Sequence, residues 1–172
     1  MTDPRDMDTE VVVVGGGIAG LSAARELSPD HDVRVLEAGG LAGGATGHAS
    51  GLVTVVADYA DRPEAARYSV ESFRALDGTG EFDFDERPFV QLRTDPDLAG
   101  LREEAAGFRE RGFDVTAHAP DELDERFPGT FDLSGHAGAM VFEDAGWVGH
   151  YTYATRLAAA ARDTGAVIDT GV

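Results

Sequence analysis

The sequence contains no cysteine and no lysine. The first absence excludes disulfides, thiolate metal ligands and thiol nucleophiles, so any redox chemistry has to be carried by a bound group. The second leaves arginine as the whole basic complement, 14 residues against 32 Asp and Glu, for a formal net charge of −18. Nucleic acid and anionic membrane are poor partners for such a surface. The carboxylates are scattered from Asp3 to Asp169 rather than gathered in a block. That distribution reads as the solvated surface of a halophile, not as an acidic tail or a single docking patch. No apolar run approaches the length of a membrane-spanning helix. The opening Met1-Thr2-Asp3-Pro4-Arg5-Asp6 is acidic where a secretory leader is basic and then apolar. The expectation is a cytoplasmic protein.

What is present suits a folded α/β chain. With 42% hydrophobic and 8% aromatic residues, the 172 positions can bury a core of one domain or parts of two interleaved ones. Four consecutive valines before Gly15 read as a central parallel strand buried on both faces. Ile18, Leu21, Ala24 and Leu27 repeat at helical spacing, and Ser28-Pro29-Asp30 stops the repeat. Val33, Val35 and Leu36 form a second strand that ends on Glu37. Strand, glycine turn, helix and strand in this order open a doubly wound sheet.

A glycine-rich run from Ala38 to Gly51 follows, then a helix from Pro63 to Leu76 with Ala66, Val70, Phe73 and Leu76 apolar. From Phe82 the pattern alternates, through Phe84 and Phe89 to Arg93, as strands of an antiparallel sheet with one wet face. Helices are expected near Asp95–Arg111, Pro120–Arg126 and His150–Arg162, and strands near Phe113–Ala117, Met140–Phe142 and Ala166–Asp169. The predicted organisation is a doubly wound, Rossmann-type α/β fold with an inserted α+β domain, both incomplete. Its parts are residues 1–80 for the first portion of the doubly wound domain, 81–143 for the inserted domain and 144–172 for the return to the first.

The chemistry is carried by the first loop. In Gly15-Gly16-Gly17-Ile18-Ala19-Gly20, Gly15 permits the tight turn, Gly17 the approach of a pyrophosphate, and Gly20 the close packing of helix on strand. The helix N-terminus then offers free amides and a positive dipole end to phosphate, with no lysine needed. Glu37, 17 residues after Gly20, stands at the strand end where a carboxylate accepts ribose hydroxyls and repels a 2′-phosphate. The second run, Gly43 to Gly51, is dense in backbone donors and long enough to reach a second phosphate and a ribityl chain. It favours FAD over NAD.

On Val11–Gly20, Val33–Glu37 and Gly44-Ala45-Thr46-Gly47-His48-Ala49-Ser50-Gly51, the chain resembles the D-amino-acid oxidase-like FAD-dependent oxidoreductases, the group of glycine oxidase and sarcosine oxidase. The likeness continues more weakly through Phe82–Leu92, Pro120–Pro128, Gly146-Trp147-Val148 and Gly165–Ile168. It implies that residues 1–80 and 144–172 belong to an FAD-binding domain and 81–143 to a substrate domain, and it implies oxidation of an amine or amino acid by hydride transfer to FAD. It also implies a C-terminal half, absent here, that supplies the remaining flavin contacts and much of the substrate pocket, so these residues alone are expected to bind FAD poorly and catalyse nothing. The expected cofactor-binding residues are Gly15, Gly16, Gly17, Ile18, Ala19, Gly20, Glu37, Ala38, Gly44, Ala45, Thr46, His48, Ser50 and Gly51. One departure is His48-Ala49, where the family loop often carries Arg-Asn. Two other readings stay open: a two-cofactor flavoprotein using NAD(P)H, and a non-catalytic dinucleotide-binding subunit.

The other candidates have plainer readings. Trp147, Tyr151 and Tyr153 are expected in the core or in packing between domains. His118, His136 and His150 lack metal-ligand spacing. No general base stands out from the acidic background, and no metal is expected.

Overall fold

The computed structural model describes residues 10–59, 61–95 and 97–172. The acidic opening Met1–Asp6 lies outside them. The chain forms two compact units: one of residues up to Gly51 with Leu76–Asp83 and Val148–Val172, the other of Leu52–Ala75 and Phe84–Trp147. Among the described residues, no helix is long and apolar enough to cross a membrane.

In the first unit a parallel sheet is ordered β1-β2-β9, from β1 (Val11–Val14), β2 (Val33–Glu37) and β9 (Val167–Thr170). Val11 aligns with Val33, and Val35 with Ile168. α1 (Ile18–Leu27) and α6 (His150–Asp163) share a core with one face of this sheet. Ala24, Ala161 and Ala166 close on Val33 and Val35, flanked by Val11, Val13, Leu27 and Ile168. Alternate β-branched residues on the strands supply this face, and alanines let the helices come close.

The other face differs from the expectation for β1. Val12 is 54% and Val14 84% exposed, because the valines of β1 alternate between the face covered by α1 and α6 and the opposite one. Within the unit, Leu76–Asp83 docks on α6: Phe82 packs against Tyr153 with ring centroids 5.0 Å apart. Arg156 Nε donates to Thr79 Oγ1 at 2.8 Å.

The second unit carries two further sheets, ordered β3-β8-β4 and β5-β7-β6, the latter antiparallel throughout. The first joins β3 (Leu52–Val53), β4 (Phe84–Glu86) and β8 (Gly146–Val148), with Leu52 opposite Trp147. The second joins β5 (Phe89–Arg93), β6 (Val115–His118) and β7 (Gly138–Phe142). α4 (Leu98–Glu110) starts at Asp97, whose carboxylate accepts from Gly100 N at 3.0 Å as an N-cap. Its Leu101, Ala105 and Phe108 bury against Val115, Met140 and Phe142, together with Val56, Ala66 and Val70. Val56 comes from the short α2 (Val55–Asp58) and the last two from α3 (Pro63–Leu76).

The opposite face of β5-β7-β6 is not wet as expected. Leu123 of α5 (Pro120–Arg126) packs with Ala139 and Val141, and Val90, Leu92, Phe127, Phe131 and Leu133 surround them. With both faces covered, all five residues of β7 are buried. β3, α2 and β8, of two to four residues each, lie below the length at which periodicity can be read.

Candidate functional site

The site in the first unit is a groove of about 320 Å³ lined by Val14, Gly15, Gly17, Ile18, Ala19, Gly20, Glu37, Gly44, Ala45 and Thr46. It forms because β1 ends at Gly15, whose φ of +105° turns the chain in a region that side chains avoid. Gly17 is the extended N-cap of α1 and offers no side-chain cap. The free amides of the first helical turn are therefore left to other partners. One finds it within the protein: Ile18 N–H donates to Thr46 Oγ1 at 3.1 Å. Among the described residues, no protein acceptor takes the amides of Ala19 and Gly20.

Glu37 fastens the two glycine runs. Its Oε2 accepts from Gly16 N at 2.6 Å and its Oε1 from Gly39 N at 2.8 Å. These two amides, Gly16 first, hold the carboxyl below its usual range. A carboxylate has about four acceptor positions, so each oxygen keeps capacity for a hydroxyl. Ala42 N donates to Gly16 O at 3.0 Å, a third stitch between the runs. The second run then folds into a 3₁₀ turn, Ala45–His48, that sets Thr46 over the start of α1.

The glycines differ in what they make room for. A Cβ on Gly20 would lie 2.1 Å from Gly15 O, so this position is fixed by close packing of helix on strand. One on Gly17 would meet Thr46 Oγ1 at 2.9 Å, so a side chain there strikes the second run before it fills ligand space. One on Gly15 or Gly44 would meet nothing within 4 Å.

Nine of the fourteen expected residues come together in the groove: Gly15, Gly17, Ile18, Ala19, Gly20, Glu37, Gly44, Ala45 and Thr46. Gly16 turns its amide to Glu37 instead. His48 is exposed, its Nδ1 hydrogen-bonded to Gly44 O at 3.0 Å. Gly51, at φ +79°, accepts from Val148 N at 2.9 Å. Ala38 and Ser50 lie outside the lining. The sequence reading missed Val14, Gly39 and Ala42. For Gly39 the signal was available, since a glycine two residues after an acid places its amide within reach of that carboxylate. Trp147 and Tyr151, expected to be packed, are 49% and 60% exposed, whereas Tyr153 is buried.

Fold and groove together define a Rossmann-type α/β unit joined to an α+β unit. The chain belongs to the family described as DAO, FAD dependent oxidoreductase, which matches residues 10–172. Over 160 residues it is 31% identical to the 4-methylaminobutanoate oxidase (formaldehyde-forming) of Paenarthrobacter nicotinovorans, covering 88% of this chain and 19% of that one. Its fold is similar to that of L-proline dehydrogenase from P. horikoshii, with a TM-score of 0.82 at 23% identity over 95% of this chain and 44% of that one. Glycine oxidase from Geobacillus kaustophilus gives a TM-score of 0.71 at 24% identity, over 95% and 46%. The chain spans less than half the length of each of these relatives.

Proposed function

We propose that this chain holds the nucleotide half of FAD in the groove of its first unit, as part of an oxidoreductase acting on an amine or amino acid. The observation that carries the reading is the cradle: two glycine runs tied through Glu37, with the Ala19 and Gly20 amides unspent at the N-terminus of α1. The donor set fits the cofactor. Backbone N–H groups at a helix start suit a pyrophosphate, Glu37 suits a ribose diol, and the Thr46 hydroxyl, already accepting from Ile18, has its own proton to donate. FAD, when bound, supplies the two-electron acceptor for the hydride that leaves the amine-bearing carbon. The chain's own residues bind and orient: Gly15 and Gly44 leave the backbone bare for close approach, and Glu37 sets the adenosine end. Membership of the family and the amine- and amino-acid-acting relatives support the substrate class.

The lysine-free composition with a net charge of −18 supports a protein of the cytoplasm in a cell of high internal salt, with a small molecule rather than nucleic acid or membrane as its partner. The test is calorimetric titration of the chain with FAD, ADP, NAD and NADP in high salt. FAD and ADP are expected to bind weakly, and NADP to fail because its 2′-phosphate meets Glu37. Glu37→Arg should weaken FAD. Preference for NADP over FAD, or indifference to Glu37→Arg, overturns the reading.

A further inference from the structure

A recess in the second unit shares no residue with the groove and is built around an arginine that the chain's many carboxylates leave alone. The geometry points to a binding site there for a free α-amino acid, taken as its zwitterion. The recess holds about 210 Å³. That is room for about seven waters at roughly 30 Å³ each, the scale of one amino acid rather than of a nucleotide. Its floor is apolar: Val56, Val70 and Phe113 are 1%, 3% and 4% exposed.

Arg67, on α3, stands at the rim. The chain has 32 acidic residues, yet no described carboxylate lies within ion-pair distance of this guanidinium. Three consecutive residues hold it in place. Nη2 donates to Arg111 O at 2.7 Å, and the guanidinium carbon sits 5.7 Å from the centre of the Phe113 ring. Gly112, at φ +86°, leaves the space in which a Cβ would come within 3.0 Å of Nη2. A guanidinium has five N–H donors, and only one is spent.

Glu71 follows by one helical turn and lines the same recess. Residues four apart on a helix are placed to pair, yet these two do not, since residues 111–113 draw the arginine away. The remaining charged groups of the wall are engaged with partners of their own, Arg74 donating from Nε to Glu86 Oε1 at 2.8 Å and from Nη2 to Asp144 Oδ1 at 2.9 Å. What is left over is one cation and one anion on a shared rim with an apolar floor between them. A zwitterion satisfies both charges: its carboxylate takes Arg67 and its ammonium takes Glu71, over a floor closed by Val56, Val70 and Phe113. A simple acid or a simple amine leaves one partner unmatched. Such a site senses the level of free amino acid and performs no chemistry on it.

The test follows amide signals of Gly112 and Phe113 in 15N–1H spectra of the full chain, without flavin, during titration with L-leucine. Saturable shifts are expected with a dissociation constant on the order of 1 mM. Acetate and n-butylamine should bind about tenfold more weakly, the loss of one charge-assisted contact. Arg67→Gln and Glu71→Gln, both at exposed positions, should each weaken L-leucine about tenfold with the melting temperature unchanged. No saturable shift, an equal response to acetate or chloride, shifts confined to Gly15–Gly20, or variants that bind as the parent does would each overturn the proposal. Because flavin is absent throughout, failure of the FAD reading leaves this outcome untouched.

Discussion

Replacing Gly20 by alanine separates what this glycine does for the helix from what it does for the sheet. Considered as a helix residue alone, Gly→Ala should stabilise by about 1 kcal/mol. The structure reverses the sign. The new Cβ would lie 2.1 Å from Gly15 O and 3.2 Å from Val13 Cγ1, and both neighbours belong to the strand end and turn that form the groove. Bringing that first contact to an ordinary distance requires α1 to lift from β1 by on the order of 1 Å, which loosens the packing of Ala24 on Val33 and Val35. Overpacking of this kind costs about 1–3 kcal/mol and wins over the propensity gain. The matched control is Gly107→Ala inside α4, where a Cβ meets nothing within 4 Å. There the propensity term acts alone and the unit should gain up to about 1 kcal/mol. Urea unfolding followed by circular dichroism, with the transitions of the two units resolved, reads both changes. For units of this size each kcal/mol corresponds to about 4–8 °C in melting temperature. Gly20→Ala should lower the first unit's midpoint and weaken FAD binding, while Gly107→Ala raises the midpoint of the second. Equal, positive shifts in both variants would refute the argument that close packing fixes Gly20.

The other predictions use the same cradle and surface. Glu37 has its folded pKa held down by the amides of Gly16 and Gly39, so its contribution is complete above about pH 4.3 and is lost as pH falls through the depressed value. The melting temperature of the first unit should therefore fall more steeply below about pH 5 in the parent than in Glu37→Gln, and parallel curves would contradict the tie seen in the structure. Thr46→Val removes the acceptor of the Ile18 amide and should cost about 1 kcal/mol, whereas Thr46→Ser keeps the oxygen and should not. Thermal melts of the two variants decide it. With a net charge of −18, the melting temperature should rise by several degrees as KCl goes from about 0.1 M to 1 M and the screening length shrinks from about 10 Å to 3 Å. A flat or falling curve would remove the argument from self-repulsion.

The amino-acid sequence was sufficient wherever short-range pattern and backbone chemistry act alone. Four valines, a glycine turn and an apolar stripe at helical spacing gave β1, α1 and β2 their places. Pro63 and Pro120 each mark the first residue of a helix, α3 and α5, because proline fits only where no intrahelical amide is required. Gly15 and Glu37 were legible as groove residues for the same reason: a positive φ and a carboxylate at a strand end are local facts.

Tertiary structure alone decided the rest. Burial of β7 on both faces depends on α5 and on Phe127, Phe131 and Leu133 folding back over the sheet, which alternation along a single strand cannot show. The exposure of Val12 and Val14 depends on which face of the sheet α1 and α6 cover, and a run of valines reads the same whether one face is covered or both. His48 and Thr46 sit two residues apart in one loop, yet the 3₁₀ turn sends Thr46 to the Ile18 amide and His48 back to Gly44 O. Loop side chains take their direction from contacts distant in sequence, here 28 residues away, and no local periodicity encodes that direction.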